Sequence, residues 1–190
     1  MKLKRVLPFA KELLKTAAKP GDIVIDATIG NGHDTVYLAE IVGPTGHVFG
    51  YDIQAEAITN TTQLLKENGV ENQVTLFHKS HSQIGETIPS HYHGQIAGAM
   101  FNLGYLPGGN KEIVTKAEST ITAIEQLLTI LKREGVIVLV IYHGHDEGKK
   151  ERDAILNYVK TLDQKKAHVL QYQFLNQKND PPFIIAIEKR

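Results

Sequence analysis

One stretch limits the folds open to this chain more than any other. Gly21-Asp22-Ile23-Val24-Ile25 leads into Asp26-Ala27-Thr28-Ile29-Gly30-Asn31-Gly32-His33-Asp34-Thr35, and Val36-Tyr37-Leu38-Ala39-Glu40-Ile41 follows. A short apolar, β-branched run after a turn signal predicts a buried strand. It ends on an acid, passes two glycines and enters a helical pattern. Glycines let a backbone approach a ligand closely, and the unpaired amides at a helix start point toward it. The stretch is therefore the first βα turn expected of a doubly wound α/β fold with a nucleotide-type cofactor site.

The rest of the chain repeats that unit. Helical spacing runs from about Leu3 to Ala18, and Lys19-Pro20-Gly21-Asp22 breaks it. A helix to Val42 stops at Gly43-Pro44-Thr45-Gly46. Strand two, His47 to Asp52, again closes on an acid, and Gln54 to Glu67 is an amphipathic helix. Strands are predicted at Val74 to His78, Gln95 to Phe101 and Gly135 to Ile141, with helices at Ile113 to Leu131 and Glu147 to Leu162. The third of these strands is the most continuously apolar run, which predicts a central place. His168 to Phe174 and Phe183 to Ile187 have no helix between them and should pair antiparallel. These elements predict one domain over residues 1–190, with residues 1–20 as an N-terminal helix packed on it. Its sheet would have seven mostly parallel strands and a C-terminal antiparallel hairpin, with helices on both faces.

Composition excludes several classes. The chain has 190 residues, 42% of them hydrophobic, enough for one proper core. It has no cysteine, hence no disulfide framework or thiolate metal site, which suits a cytoplasmic protein. No apolar run is long enough for a membrane-spanning helix, and the first residues lack a secretory apolar region. Basic and acidic residues balance at 21 each, so a nucleic-acid partner would have to be held by a local patch or by shape.

Two cofactor classes share a glycine turn followed by an acid on the second strand. Thr35 stands where a dinucleotide fingerprint has its third glycine, and Asp34 places negative charge where a pyrophosphate would sit. Acids at Asp26 and Asp34 favour a cofactor that carries positive charge, as S-adenosylmethionine does. Asp52 would accept hydrogen bonds from the ribose hydroxyls, a role it could equally fill for NAD. Ser80 and His81 are placed to border the adenine. The terminal hairpin favours a methyltransferase by analogy of fold.

Several segments make a more specific case: Asp26 to Thr35, Tyr51-Asp52-Ile53-Gln54, Phe101 to Gly109, Tyr142-His143-Gly144-His145, Asn176-Gln177 and Pro181-Pro182-Phe183. With them the whole chain resembles a family of small class I methyltransferases, first labelled rRNA methylases and now understood as the MnmM family. That family acts on 5-aminomethyl-2-thiouridine at the wobble position of tRNA. The chain departs from the expected pattern at Asn110, where an acid is anticipated. The resemblance implies methyl transfer from S-adenosylmethionine to a primary amine, giving the 5-methylaminomethyl form. Residues alone reach only a methyltransferase with a polar, aromatic acceptor pocket. The expected cofactor contacts are Asp26, Thr28, Gly30, Asn31, Gly32, His33, Asp52, Ile53, Gln54, Ser80, His81, Asn102 and Leu103.

The acceptor is expected at the exit of strand four. Asn102 offers a carbonyl to an amine, and Tyr105 could stack on a base, a contact worth about 1–3 kcal/mol in single-stranded sites. Pro107-Gly108-Gly109 would let backbone approach the substrate. An alkylamine is mostly protonated near neutral pH, so the site must favour the neutral amine or take its proton. Tyr142, His143 and His145 are the candidates. The pairs His78 with His81, His91 with His93, and His143 with His145 lie in separate loops and do not add up to a zinc site. Lys2, Lys4, Arg5, Lys111, the Lys149-Lys150-Arg152 cluster and Lys178 are candidate phosphate contacts. An anticodon stem-loop already presents unstacked bases. A homodimer sharing the tRNA is compatible with a chain lacking an appended RNA-binding domain. The competing readings are an rRNA or small-molecule methyltransferase, an NAD(P)-linked oxidoreductase, and a non-catalytic RNA-binding module.

Overall fold

Alternation of side chains along the strands decides what each face of the sheet buries. In the computed structural model, which describes residues 2–104 and 114–190, the order of elements is as follows. Helix α1 (Val6–Ala17) precedes β1 (Ile23–Asp26), α2 (His33–Val42), β2 (His47–Asp52), α3 (Ala55–Glu67) and β3 (Val74–His78). Then come a short α4 (Ile84–Thr87), β4 (Ile96–Leu103), α5 (Ala117–Ile130), β5 (Leu131–Ile141), α6 (Asp146–Val159), β6 (Ala167–Tyr172) and β7 (Phe183–Lys189). Tyr105 to Ile113 lie outside the described residues, and the helix expected from Ile113 begins only at Ala117, since residues 114–116 are not helical.

The strands form one seven-stranded sheet in the order β3-β2-β1-β4-β5-β7-β6. β1 to β5 are parallel, while β7 runs antiparallel to both β5 and β6, with Val138 opposite Ala186 and Leu170 opposite Ala186 on its other side. The expected hairpin is present, and its second strand inserts between β5 and β6. Along β1, Val24 faces one core and Ile25 the other; Met100 and Phe101 divide likewise on β4, and Val138 and Leu139 on β5. That period of two is the pleat itself. Ala10 and Leu14 of α1 lie in one layer with Ala39 of α2 and Leu65 of α3. Ile124 and Leu127 of α5 and Ile155 of α6 lie in the other, with Ile84 of α4. Fully buried side chains such as Ile25, Phe101 and Leu127 each contribute roughly 1.5–3 kcal/mol.

The centre of the sheet is β4, not the more apolar β5. Its Gly98 looks weakly hydrophobic in sequence because α1 packs close on it. A Cβ on Gly98 would meet Leu14 Cδ2 at 3.0 Å. β5 also starts earlier than its apolar run, at Leu131. Ile96 pairs with Leu131, the register then shifts to Gly98 opposite Val136, and Glu134 takes a left-handed φ of 63°. This bulge lets a charged stretch continue the strand, a change that hydropathy does not signal. The crossover after β3 holds only short helical turns and the four residues of α4.

Candidate active site

The carboxyl ends of β1, β2, β4 and β5 open into one cavity of about 1430 Å³. A cleft for one drug-sized ligand occupies roughly 300–1,000 Å³, so this one has room for a cofactor and part of a second molecule. It lies where parallel α/β sheets place their ligands, beyond the strand ends.

The floor is the glycine turn. Asp26 does not line it. Its carboxylate is fully buried under the turn, where Thr35 Oγ1 donates to it at 2.7 Å and the Thr28 amide at 3.2 Å. Burial first, then the neighbouring charges of Asp34 and Asp52, push its carboxyl up to about 7 against the opposing pull of the two donors. Asp26 therefore shapes the turn instead of reaching a ligand, a correction to the expected contact set. Because the folded-state value exceeds the ordinary 3.8, the unfolded chain releases this proton first, and stability falls as pH rises from about 4 to about 7. The full span is worth on the order of 4 kcal/mol. In paired thermal melts, Asp26→Asn should gain on the native protein across that window and level off above it. A difference in melting temperature that does not change with pH would remove this account.

Gly32 enters α2 with a left-handed φ of 81°, and a Cβ there would lie 2.5 Å from Thr61 Oγ1. Glycine is required by both conformation and space. Thr28, Gly30, Asn31, Gly32 and His33 all line the cavity. Asp52, at the tip of β2, accepts from the Gly30 amide at 2.9 Å and from the Gln54 amide at 2.9 Å, one on each oxygen. Each oxygen keeps a second lone pair. Ile53 and Gln54 also line the cavity, Ile53 with more than half its surface exposed.

Ser80 and His81 complete this end. Ser80 Oγ accepts from the Ser82 amide and hydroxyl, at 3.2 and 2.9 Å. His81 is buried, its ring edge-on to Phe101, and Nδ1 lies 3.1 Å from the Ala27 carbonyl. A carbonyl only accepts, so Nδ1 carries the proton and Nε2 is an acceptor. Burial holds the imidazole below its ordinary value, keeping it neutral. Nε2 is buried with no partner among the described residues. A purine or ribose donor would satisfy it, so the residues present fit an adenosyl group.

The other end centres on Asn102. Its amide N–H donates to Thr28 Oγ1 at 2.6 Å, and its side-chain Nδ2 donates to Asp34 Oδ2 at 2.8 Å. Asp34 Oδ1 in turn lies 2.9 Å from Lys11 Nζ. Leu103 is wholly buried and does not line the cavity, because the pleat turns it into the core; only its backbone serves, its carbonyl accepting from the Tyr142 amide at 3.1 Å. Tyr142 is half-buried at the cavity wall, its hydroxyl held above the ordinary value by burial and by Asp34. His143 lines the cavity too, but both ring nitrogens are engaged: Nε2 donates to the Pro181 carbonyl at 3.0 Å, Nδ1 faces Arg152 at 3.4 Å, and the ring packs edge-on against Phe183. It ties the end of β5 to the segment before β7 and is poorly placed to take a proton. His145 lines the cavity at the start of α6.

Sequence reasoning overlooked three contributors. Asp34 counted as an acid against a pyrophosphate and in favour of a cationic cofactor, not as the partner of Asn102. Leu7, Pro8 and Lys11 bring α1 into the cavity wall, and the one sequence signal was the i, i+4 spacing of Leu7 and Lys11. Glu151 is buried in α6, accepts from Thr115 Oγ1 at 2.5 Å and Thr120 Oγ1 at 2.8 Å, and is held above its ordinary value by burial. The Thr115 amide donates to the Gly104 carbonyl at 3.0 Å, so Glu151 braces residues flanking the strand-four exit. Of the candidate phosphate contacts, Lys4 pairs with Glu12, Lys149 approaches Asp180 at 3.9 Å, Lys150 pairs with Glu147 at 2.6 Å and Arg152 with Asp153 at 2.8 Å. That cluster carries its own counter-charges.

Comparison with known proteins agrees with this geometry. Residues 48–188 match the family model described as "Putative rRNA methylase". A curated Arabidopsis thaliana protein named tRNA (mnm(5)s(2)U34)-methyltransferase, chloroplastic, is 34% identical over 98% of this chain and 70% of its own length. The crystal structure described as a "putative rRNA-methylase" from Clostridium thermocellum superposes with a TM-score of 0.96 at 41% identity, covering 100% of both chains. A "putative methyltransferase" from Streptococcus mutans, solved in complex with SAH, gives 0.89 at 37% identity over 99% of each chain. The chain therefore belongs to the rRNA_methylase family and has the class I fold of the S-adenosylmethionine-dependent methyltransferases.

Proposed function

We propose that the protein methylates tRNA, transferring the methyl group of S-adenosylmethionine to the exocyclic amine of 5-aminomethyl-2-thiouridine at the wobble position. The product is the 5-methylaminomethyl nucleoside. The substrate class rests on the Arabidopsis relative's name and on its alignment across nearly the whole chain. The cofactor rests on family membership and on the fit of Asp52 and His81 to an adenosyl group. Family membership weighs against the NAD(P) alternative, as do Thr35 and Asp34.

The observation that carries the reading is the Asn102 side chain. A carboxylate can only accept, so the Asn102 NH₂ must face Asp34, which turns the amide carbonyl to the other side. That carbonyl can accept a hydrogen bond from a primary amine and orient its lone pair. When bound, S-adenosylmethionine supplies an already activated methyl group. The protein's work is then position and exclusion of water. Thr28 links the glycine turn to Asn102 and so holds the two ends of the site in register. Over the reaction an ammonium and a sulfonium become a secondary ammonium and a thioether, and one proton leaves. Tyr142 and His145 are the wall residues nearest in kind to that proton's exit, with His143 set aside by its structural bonds.

The test is direct. Purified protein and S-adenosylmethionine are incubated with tRNA from cells lacking the protein, and the nucleosides are resolved by mass. The 5-aminomethyl-2-thiouridine signal should fall as its methylated form rises. Binding of that tRNA without methylation would favour a non-catalytic module. Methylation of rRNA in its place would move the substrate to the one the family's name suggests.

A further inference from the structure

The N-terminal helix has no part in the reading above, yet it enters the cavity. Lys11 Nζ lies 2.9 Å from Asp34 Oδ1 and 4.6 Å above the centre of the Tyr37 ring, while the Tyr37 hydroxyl donates to the Lys11 carbonyl at 3.1 Å. The Lys11 side chain is 33% exposed and that of Asp34 20%, so the pair is less screened than one on open surface. Asp34 is thus held from both sides, by a cation on one oxygen and by the Asn102 amide on the other.

We propose that Lys11 is a positioning residue for methyl transfer: by clamping Asp34 it aims the Asn102 carbonyl, and it cancels a carboxylate charge that would hold the incoming amine as an ammonium. This rests on the amine-acceptor reading of the site. An unpaired carboxylate within a few ångströms of an amine favours its charged form, and an ammonium has no lone pair to donate. A carboxylate neutralised by Lys11 can still orient an amide. It no longer competes for the acceptor's proton. The other titratable groups that feel the Asp34 charge are Tyr37 on α2, Asp26 beneath the turn and Tyr142 after β5; His33 is its chain neighbour, and Glu12 on α1 acts on Tyr37. Glu12 is paired with Lys4, and Asp26 is occupied by Thr35 and Thr28. Lys11 is the cation the structure pairs with Asp34.

The experiment compares native protein with Lys11→Met, Lys11→Arg and the double variant Lys11→Met/Asp34→Asn. The first readout is binding. Leaving Asp34 uncompensated adds one negative charge to the cavity, so Lys11→Met should bind cationic S-adenosylmethionine better, relative to neutral S-adenosylhomocysteine, by about threefold or more. Lys11→Arg should keep the native ratio, and the double variant should return to it. The second readout is kcat against pH on undermodified tRNA. The rising limb of Lys11→Met should move alkaline by about one unit, with roughly tenfold lower kcat near pH 7 that recovers at higher pH. The limb should return in the double variant even where its rate stays low. An unchanged binding ratio in Lys11→Met overturns the proposal whether or not the tRNA is a substrate. A kcat loss that is uniform across pH does the same. No turnover by the native protein, with the ratio shifted as expected, would instead sink the tRNA reading and leave the charge role standing.

Discussion

Replacing Asp52 by alanine should raise the Kd for S-adenosylhomocysteine by about 100-fold or more, enough to abolish measurable binding in ordinary calorimetry. Two losses combine. The carboxylate accepts the Gly30 and Gln54 amides, both at 2.9 Å, so it anchors the glycine turn and the entry to α3 together. Its remaining lone pairs would be offered to the ribose hydroxyls. Hydrogen bonds to a charged acceptor are worth roughly 1.5–3 kcal/mol each, and two of them exceed the roughly 2.8 kcal/mol of a 100-fold step. Asp52→Asn keeps one acceptor oxygen and should fall between the two. A Kd for Asp52→Ala within about threefold of native would mean that the ribose is held elsewhere.

Asn102→Ala should behave in the opposite sense. The tie between Asn102 and the cofactor side runs through its backbone N–H, which donates to Thr28 at 2.6 Å and survives the substitution. Cofactor affinity should stay within about threefold, while kcat falls by roughly 100-fold as the acceptor loses its orienting carbonyl. Single-turnover methylation alongside calorimetry separates the two effects. If both variants lose cofactor equally, Asn102 belongs to the cofactor site and the acceptor lies elsewhere.

Much of this was legible from local pattern. The strand-turn-helix of residues 21–41, the acids closing β1 and β2, and the helix-free hairpin at the end follow from periodicity and turn chemistry, signals carried by neighbours in the chain. The position of β4 was not, because Gly98 is small to admit Leu14 of a helix more than eighty residues earlier, and hydropathy counts it as weak. The start of β5 was hidden by Lys132, Arg133 and Glu134, charged residues that a bulge accommodates.

The same division holds at the site. Residue types and spacing, together with the family resemblance, marked Thr28, Gly30, Gly32, Asp52 and Asn102 as lining one crevice, since β1, β2 and β4 must end at the same edge of a parallel sheet. Only the tertiary structure decided what each side chain faces. It turned Asp26 and Leu103 inward, committed His143 to Pro181 and Phe183, and joined Lys11, Asp34 and Asn102 across elements far apart in the chain. The reason is geometric. A turn or strand is set by residues within a few positions of one another, whereas a hydrogen-bond partner across a cavity is set by how whole helices pack, and no local pattern carries that.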